Sequence, residues 1–144
     1  MRVVLLKSGD YGAWARDRPG TLPYRFDLLG RRVELVFTDR HLRGRWTSAS
    51  VKRLVDAVER RVAPAVQTML QLLQIRSSDA VLAMFESEGH FLGALRWLHV
   101  PGLRRPGFVV VSCWLTELLG TASQRKLRWY RRLYSTVDRV FVLS

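Results

Sequence analysis

The sequence is poor in cysteine, in acidic side chains and in long apolar runs. Cys113 is the only cysteine among 144 residues, so no internal disulfide can form and a reducing compartment is expected. The apolar run at residues 3–6 is too short for a secretory signal. No run approaches the ~20 apolar residues that a bilayer span requires. These absences predict a cytoplasmic protein.

The charge is strongly unbalanced. Lys and Arg number 24 against 12 Asp and Glu, a net charge of +12, and only three of the cations are lysines. A field of this sign attracts anions such as phosphate, nucleic acid or acidic lipid. The apolar fraction of 48% and the charged fraction of 25% are those of a folded domain, which excludes a disordered chain. The length predicts one domain, residues 1–144.

Five short apolar runs predict strands, because continuous apolar runs suit strands that are buried on both faces of a parallel sheet. They lie at residues 3–6, 33–39, 80–85, 108–113 and 140–143.

Helical patterns fill the intervals between these runs. A short helix is predicted at 22–29, and a long one begins at Ser50 as its N-cap, with Val51, Leu54, Val55, Val58 and Val62 on one face. Pro64 predicts a kink or restart, after which Val66, Met69, Leu70 and Leu73 continue the helical period. Ser87 is the expected cap of a further helix, and the last helix covers 123–137.

Strands that alternate with helices predict a parallel sheet, because the crossover connections run over its faces. No two-residue hairpin turn joins any pair of these strands. The predicted fold class is α/β, a Rossmann-like parallel sheet with helices on both faces.

Ligands of such sheets bind beyond the carboxyl ends of the strands. The loop after the first strand contains Gly9, Asp10, Gly12 and Arg16, and its glycines allow backbone N–H groups to approach a phosphate. The spacing matches neither G-x-G-x-x-G nor a P-loop, which disfavours a nicotinamide dehydrogenase and a P-loop NTPase.

Two further stretches lie at predicted strand ends. Glu86, Glu88 and His90 follow the third strand, where they suit contacts to sugar hydroxyls or general base catalysis. A capping role is the alternative, in which Ser87 caps a helix and Glu88 complements its dipole. Cys113 follows the fourth strand and is interpreted as a buried, inert thiol. No spacing predicts a metal site, and no G-x-S-x-G elbow is present.

The last predicted helix is rich in cations and aromatic residues. Its five cations lie at 125, 126, 128, 131 and 132, and Trp129 is among them. A solvated basic face is one interpretation, and a helix that rests on an anionic membrane surface through residues 125–132 is the other. No module for specific nucleic-acid binding is recognisable.

The order of these parts resembles the N-terminal domain of GT-B glycosyltransferases, family 4 in particular. The resemblance rests on the glycine-bearing loop, the strands at 80–86 and 108–113, and an Arg- and Tyr-rich helix. That helix leads into Val-Asp-Arg-Val-Phe-Val-Leu-Ser at 137–144, which is similar to the segment that ends this domain in the family.

The resemblance implies transfer of a sugar from a nucleotide-sugar co-substrate, without a metal or resident cofactor. It implies that the loop of Gly9 and Gly12, with Asp10 and Arg16, approaches the donor phosphates. A second domain with an E-x7-E pair would hold the donor, so this chain is expected to be one half of the enzyme and inactive alone.

Because ligands bind beyond the carboxyl ends of the strands, the acceptor contacts are expected at five residues, Tyr11, Glu86, Glu88, His90 and Trp114. Many relatives carry a His after the fourth strand, but this chain has Cys113-Trp114, so no catalytic residue is assigned. The expected location is cytoplasmic and peripheral at the inner face of the membrane. Two alternatives stay open, a basic non-enzymatic nucleic-acid-binding domain and a stand-alone nucleotide-binding α/β module.

Overall fold

A computed structural model describes residues 1–6, 32–37, 48–61, 65–84, 86–112 and 115–142. Its strands are β1 (Arg2–Leu6), β2 (Glu34–Phe37), β3 (Ala80–Met84), β4 (Gly107–Ser112) and β5 (Arg139–Val142). Its helices are α1 (Ala49–Arg61), α2 (Ala65–Leu70), α3 (Leu72–Arg76), α4 (Glu86–Trp97), α5 (Leu115–Thr121) and α6 (Gln124–Tyr134).

The five strands form one parallel sheet in the order β2-β1-β3-β4-β5. The chain moves from β1 to one side at β2, then crosses back to β3 and continues to the other side. The direction therefore reverses between β1 and β3, and this is the switch point of the sheet. The predicted fold class, a Rossmann-like α/β domain with a parallel sheet flanked by helices, is confirmed.

Burial explains why continuous apolar runs form these strands. Successive side chains of a strand point to opposite faces, yet Val3, Val4, Leu5 and Leu6 are all buried, so both faces of β1 are covered. The larger core cluster joins alternate residues of the inner strands to three residues outside the sheet, Ile75, Leu92 and Leu103.

The helix bounds correct several sequence-based expectations. Helix α1 begins at Ala49 and α4 at Glu86, so Ser50 and Ser87 lie inside the first turns and are not N-caps. Helix α1 ends at Arg61 and α2 begins at Ala65, and Pro64, where a kink or restart was predicted, lies outside the described residues. Helix α5 was not predicted, because its seven residues show little periodicity. Helix α6 is capped by Ser123 and ends at Tyr134. The predicted helix at 22–29 lies outside the described residues.

Two apolar patterns are less buried than the sequence predicts. Helix α1 buries Val55, but Leu54 and Val58, which were expected on the same face, are exposed. Strand β5 has the residue types of an inner strand, yet Val140, Phe141 and Val142 are exposed. It is the last strand of the described sheet and pairs only with β4, so fewer neighbours cover it.

Gly89 allows α4 to approach the sheet closely. A Cβ atom at this position would lie 3.1 Å from Val110 Cγ2, 3.3 Å from Phe108 Cζ and 3.4 Å from Ala83 Cβ. One turn later, Gly93 faces Leu133 of α6 at 3.5 to 3.7 Å. The two glycines thus place α4 between the sheet and α6.

Arg96 holds the other end of α4. Its side chain is only 6% exposed, and its guanidinium donates to the carbonyl of Pro106 at 2.9 Å and to Asp138 Oδ2 at 3.3 Å. Burial lowers the pKa of Arg96, and the Asp138 carboxylate offsets part of that shift. The same Oδ2 accepts the backbone N–H of Phe108 at 2.6 Å. One carboxylate therefore joins α4 to the starts of β4 and β5.

We predict that Gly89→Val destabilises the fold by about 1–3 kcal/mol, because the added methyl groups overpack against Val110 and Phe108. Urea denaturation measures the change. Gly120→Val is the matched control, since a side chain at Gly120 meets no atom within 4 Å. Equal effects of the two substitutions would contradict close packing at Gly89.

We predict that Asp138→Ala costs about 1–3 kcal/mol, because it leaves the buried Phe108 N–H without its acceptor and Arg96 without its counter-charge. Asp138→Asn retains an acceptor oxygen and should cost less. The control is Asp79→Ala, which removes the acceptor of the exposed Arg2 N–H. An unchanged denaturation midpoint for Asp138→Ala would refute the role of this carboxylate.

Candidate functional site

The carboxyl edge of the sheet is where a ligand is expected. All five strands end there, at Leu6, Phe37, Met84, Ser112 and Val142. Because β1 and β3 are the strands at which the chain reverses direction, the crevice between their carboxyl ends is the expected binding position. Helix α4 starts directly beyond β3, so its first turns belong to this edge.

Several predicted site residues lie outside the described part of the chain. This holds for Trp114 and for the whole glycine-bearing loop, which comprises Gly9, Asp10, Tyr11, Gly12 and Arg16. Glu86, Glu88 and His90 lie on the first two turns of α4.

Glu88 and His90 do not face each other. Helical residues advance by about 100° each, so these two side chains leave α4 about 160° apart. Glu88 is buried, at 3% exposure, within the first turn, where the helix dipole favours a carboxylate. His90 is half-buried, and its ring lies 5.4 Å from Tyr130 and 6.3 Å from Tyr134. A site that combines Glu88 and His90 on one ligand therefore does not form in this arrangement.

The cavity beside His90 is small. It lies between α4 and α6 and holds about 10 Å³, roughly the space of one water molecule. Its lining consists of Gly89, His90, Val110, Leu133, Tyr134 and Val137. Such a cavity does not accommodate a sugar, so His90 serves here as an aromatic contact between two helices.

Helix α2 and the residues after it reverse the expected pattern of burial. Met69, Leu70 and Leu73, which the sequence placed on an apolar helical period, are exposed. Three neighbouring polar residues are buried instead: Gln67 and Thr68 at 0% exposure and Gln71 at 5%. Their spacing of i, i+1 and i+4 puts them on one helical face. The sequence contains this spacing, but the same spacing of polar residues is typical of a solvent-exposed helical face, so it does not by itself predict burial.

This buried polar face lies at the carboxyl edge of the sheet. Gln71 Nε2 donates a long hydrogen bond of 3.5 Å to the carbonyl of Phe37, the last residue of β2. The chain runs from α2 through α3 to the amino end of β3. Thr68 precedes Gln71 by about one helical turn, so Thr68 lies farther from the amino edge of the sheet than Gln71 does. Helix α2 also packs against α4. Gln71 thus lies at the carboxyl end of β2, at the ligand-binding edge, and Thr68 precedes it by about one helical turn.

Two polar atoms of this face have no hydrogen-bond partner among the described residues. They are Thr68 Oγ1 and Gln71 Oε1, and both are fully buried. A buried polar atom without a partner costs about 1–3 kcal/mol. Native proteins hold few such atoms, and functional sites are one place where they occur. Hydroxyl and amide groups can both accept a hydrogen bond from a ligand hydroxyl.

We predict that Thr68→Val stabilises the ligand-free protein by about 1 kcal/mol, because it replaces an unpartnered buried hydroxyl with a methyl group of similar size. Thermal or urea denaturation measures the difference. Thr136→Val is the matched control and should be destabilising, since Thr136 Oγ1 donates to the carbonyl of Leu133 at 2.7 Å. Loss of stability in Thr68→Val would show that its hydroxyl is already satisfied.

Within the described ranges, no three His, Cys, Asp or Glu side chains come together as a metal ion requires. None of the described helices is both long and apolar enough to cross a membrane. Comparisons with protein-family models, with curated proteins and with solved structures find no match to this chain.

Proposed function

We propose that this chain is the acceptor-side half of a glycosyltransferase that uses a nucleotide-sugar donor. The observation that carries the proposal is the buried pair Thr68 and Gln71, whose unpartnered oxygens lie at the ligand-binding edge of a parallel sheet. A hydroxyl-rich acceptor would supply the missing hydrogen bonds. The resemblance of the sequence to GT-B N-terminal domains is the second support.

The chemistry of the pair suits a sugar better than an ion. Thr68 and Gln71 are uncharged, and a sugar hydroxyl both donates and accepts, so it pairs with either side chain. An ionic ligand would gain more from charged partners, which make stronger hydrogen bonds. The acceptor is therefore proposed to contact α2 and the end of β2, with Glu88 on the adjacent helix.

The charge of the chain suits the donor. A net charge of +12 raises the local concentration of phosphate-bearing molecules at the surface. The donor phosphates are proposed to approach the loop of Gly9, Asp10, Gly12 and Arg16. The donor is a co-substrate in this proposal, and no metal is needed to hold it.

A second candidate is a stand-alone nucleotide-binding module. The strand order β2-β1-β3-β4-β5 favours it, because single-domain flavodoxin-type proteins share this order and bind a nucleotide at the β1/β3 switch point. The two candidates differ in what the chain binds alone. A nucleotide module binds the nucleotide tightly, whereas an acceptor domain binds a saccharide and binds the nucleotide weakly.

We predict that Gln71→Leu weakens saccharide binding about tenfold, the effect of losing one well-placed hydrogen bond to the ligand. Saturation-transfer NMR of the whole chain with glucose, mannose, galactose and inositol identifies a bound saccharide, and titration calorimetry gives its affinity. Gln74→Leu is the matched control, because Gln74 is exposed on α3 three residues away.

UDP and GDP are titrated in the same series. No saccharide binding together with tight nucleotide binding would overturn the acceptor-domain proposal in favour of the nucleotide module. Equal losses of saccharide affinity in Gln71→Leu and Gln74→Leu would show that Thr68 and Gln71 do not form the saccharide-binding site.

A further inference from the structure

The outer face of α6 carries a high density of positive charge. Five of its 11 residues are Arg or Lys, and none is Asp or Glu. Leu133 is buried and Tyr130 and Tyr134 are half-buried, so these residues pack α6 onto the domain. The five cations are all exposed, and Arg125, Arg128 and Arg132 lie on the side of the helix opposite to these packed residues. The side of α6 that carries Leu133, Tyr130 and Tyr134 is thus covered by the domain, whereas the exposed cations are accessible to a binding partner.

Aromatic and aliphatic side chains lie within this positive surface. Trp129 is 43% exposed, and its ring meets Trp97 at the end of α4 with 6.3 Å between centroids. The Arg132 guanidinium lies over the Trp97 ring, 5.2 Å from its centroid. Leu98, which directly follows Trp97, is 63% exposed. Trp129 and Arg132, which contact Trp97, also line an open depression together with Ser123, Arg125, Lys126 and Arg128.

We infer that this surface binds an anionic phospholipid bilayer. The surface is formed by Arg125, Lys126, Arg128, Trp129 and Arg132 of α6, together with Trp97 and Leu98. The cations meet lipid phosphates, while Trp129 and Leu98 enter the boundary between headgroups and acyl chains. The inference does not depend on the proposed glycosyltransferase activity, because it concerns a different face of the domain.

Two observations favour a bilayer over nucleic acid. An exposed leucine gains from contact with acyl chains, but single-stranded nucleic acid is bound by aromatic stacking and charge. Trp97, the second aromatic ring of the surface, has one face under Arg132 and meets Trp129 edge-on. It is therefore poorly placed to stack on a base.

The test is vesicle co-sedimentation of the full chain. Vesicles of phosphatidylcholine alone are compared with vesicles that also contain phosphatidylglycerol. We expect binding only to the anionic vesicles, and weaker binding at higher salt. The triple variant Arg125→Gln, Lys126→Gln, Arg128→Gln should bind about a hundredfold more weakly, as expected when three cations leave an anionic surface. Arg132 is left in place because it packs on Trp97.

The matched control removes three exposed cations elsewhere, by Arg60→Gln, Arg61→Gln and Arg105→Gln. This control variant should lose much less affinity for anionic vesicles than the α6 triple variant. Leu98→Gln, at an exposed turn position, should weaken vesicle binding several-fold without changing the fold measured by circular dichroism.

A labelled single-stranded oligonucleotide and its duplex are titrated with the same proteins. Tighter binding to DNA than to anionic vesicles, lost in the α6 triple variant and unchanged in Leu98→Gln, would identify a nucleic-acid surface and overturn the inference. Absence of binding to anionic vesicles, or an equal loss in the Arg60/Arg61/Arg105 control, would overturn it as well.

Discussion

Burial of the Arg96 guanidinium is the constraint on which the arrangement of this domain depends. A buried cation is tolerated only when a counter-charge and hydrogen-bond acceptors surround it. Asp138 and the Pro106 carbonyl meet both needs, and they belong to the segments that begin β5 and β4. The end of α4 is thereby fixed to two strands at the amino edge of the sheet. With Gly89 pressed against the sheet, the first turn of α4 is directed to the carboxyl edge.

Polar side chains of different kinds lie at the two edges of the sheet. At the amino edge, Asp79 precedes β3 and accepts a hydrogen bond from the backbone N–H of Arg2 in β1. In the same way, Asp138 precedes β5 and accepts a hydrogen bond from the backbone N–H of Phe108 in β4. At the carboxyl edge, Thr68 and Gln71 each leave a buried oxygen without a partner among the described residues. A ligand at the carboxyl edge would complete the hydrogen bonds of these two oxygens.

Helix α6 separates packing from charge by its two faces. Its inner side contributes Leu133 to the core and two tyrosines to the contact with His90. Its outer side carries cations that repel one another, and Arg132 among them packs on Trp97. Five of the 24 cations of the chain are thus gathered on one helix, next to exposed Trp129.

The sequence by itself determined the strands, their parallel arrangement and the α/β class. Apolar runs such as residues 3–6 and 108–113 are local signals, and strands that alternate with helical segments strongly favour a parallel sheet. The burial of α2 was decided by the tertiary structure. Met69 and Leu73 have the spacing of a core face, but contact with β2 and α4 buries Gln67, Thr68 and Gln71 instead. Glu88 and His90 are close in sequence, but helical geometry alone separates their side chains by about 160°. The packing of α4 between the sheet and α6 then decides that His90 contacts Tyr130 and Tyr134 of α6. Periodicity tells which residues share a face, whereas only the neighbouring elements decide which face is covered.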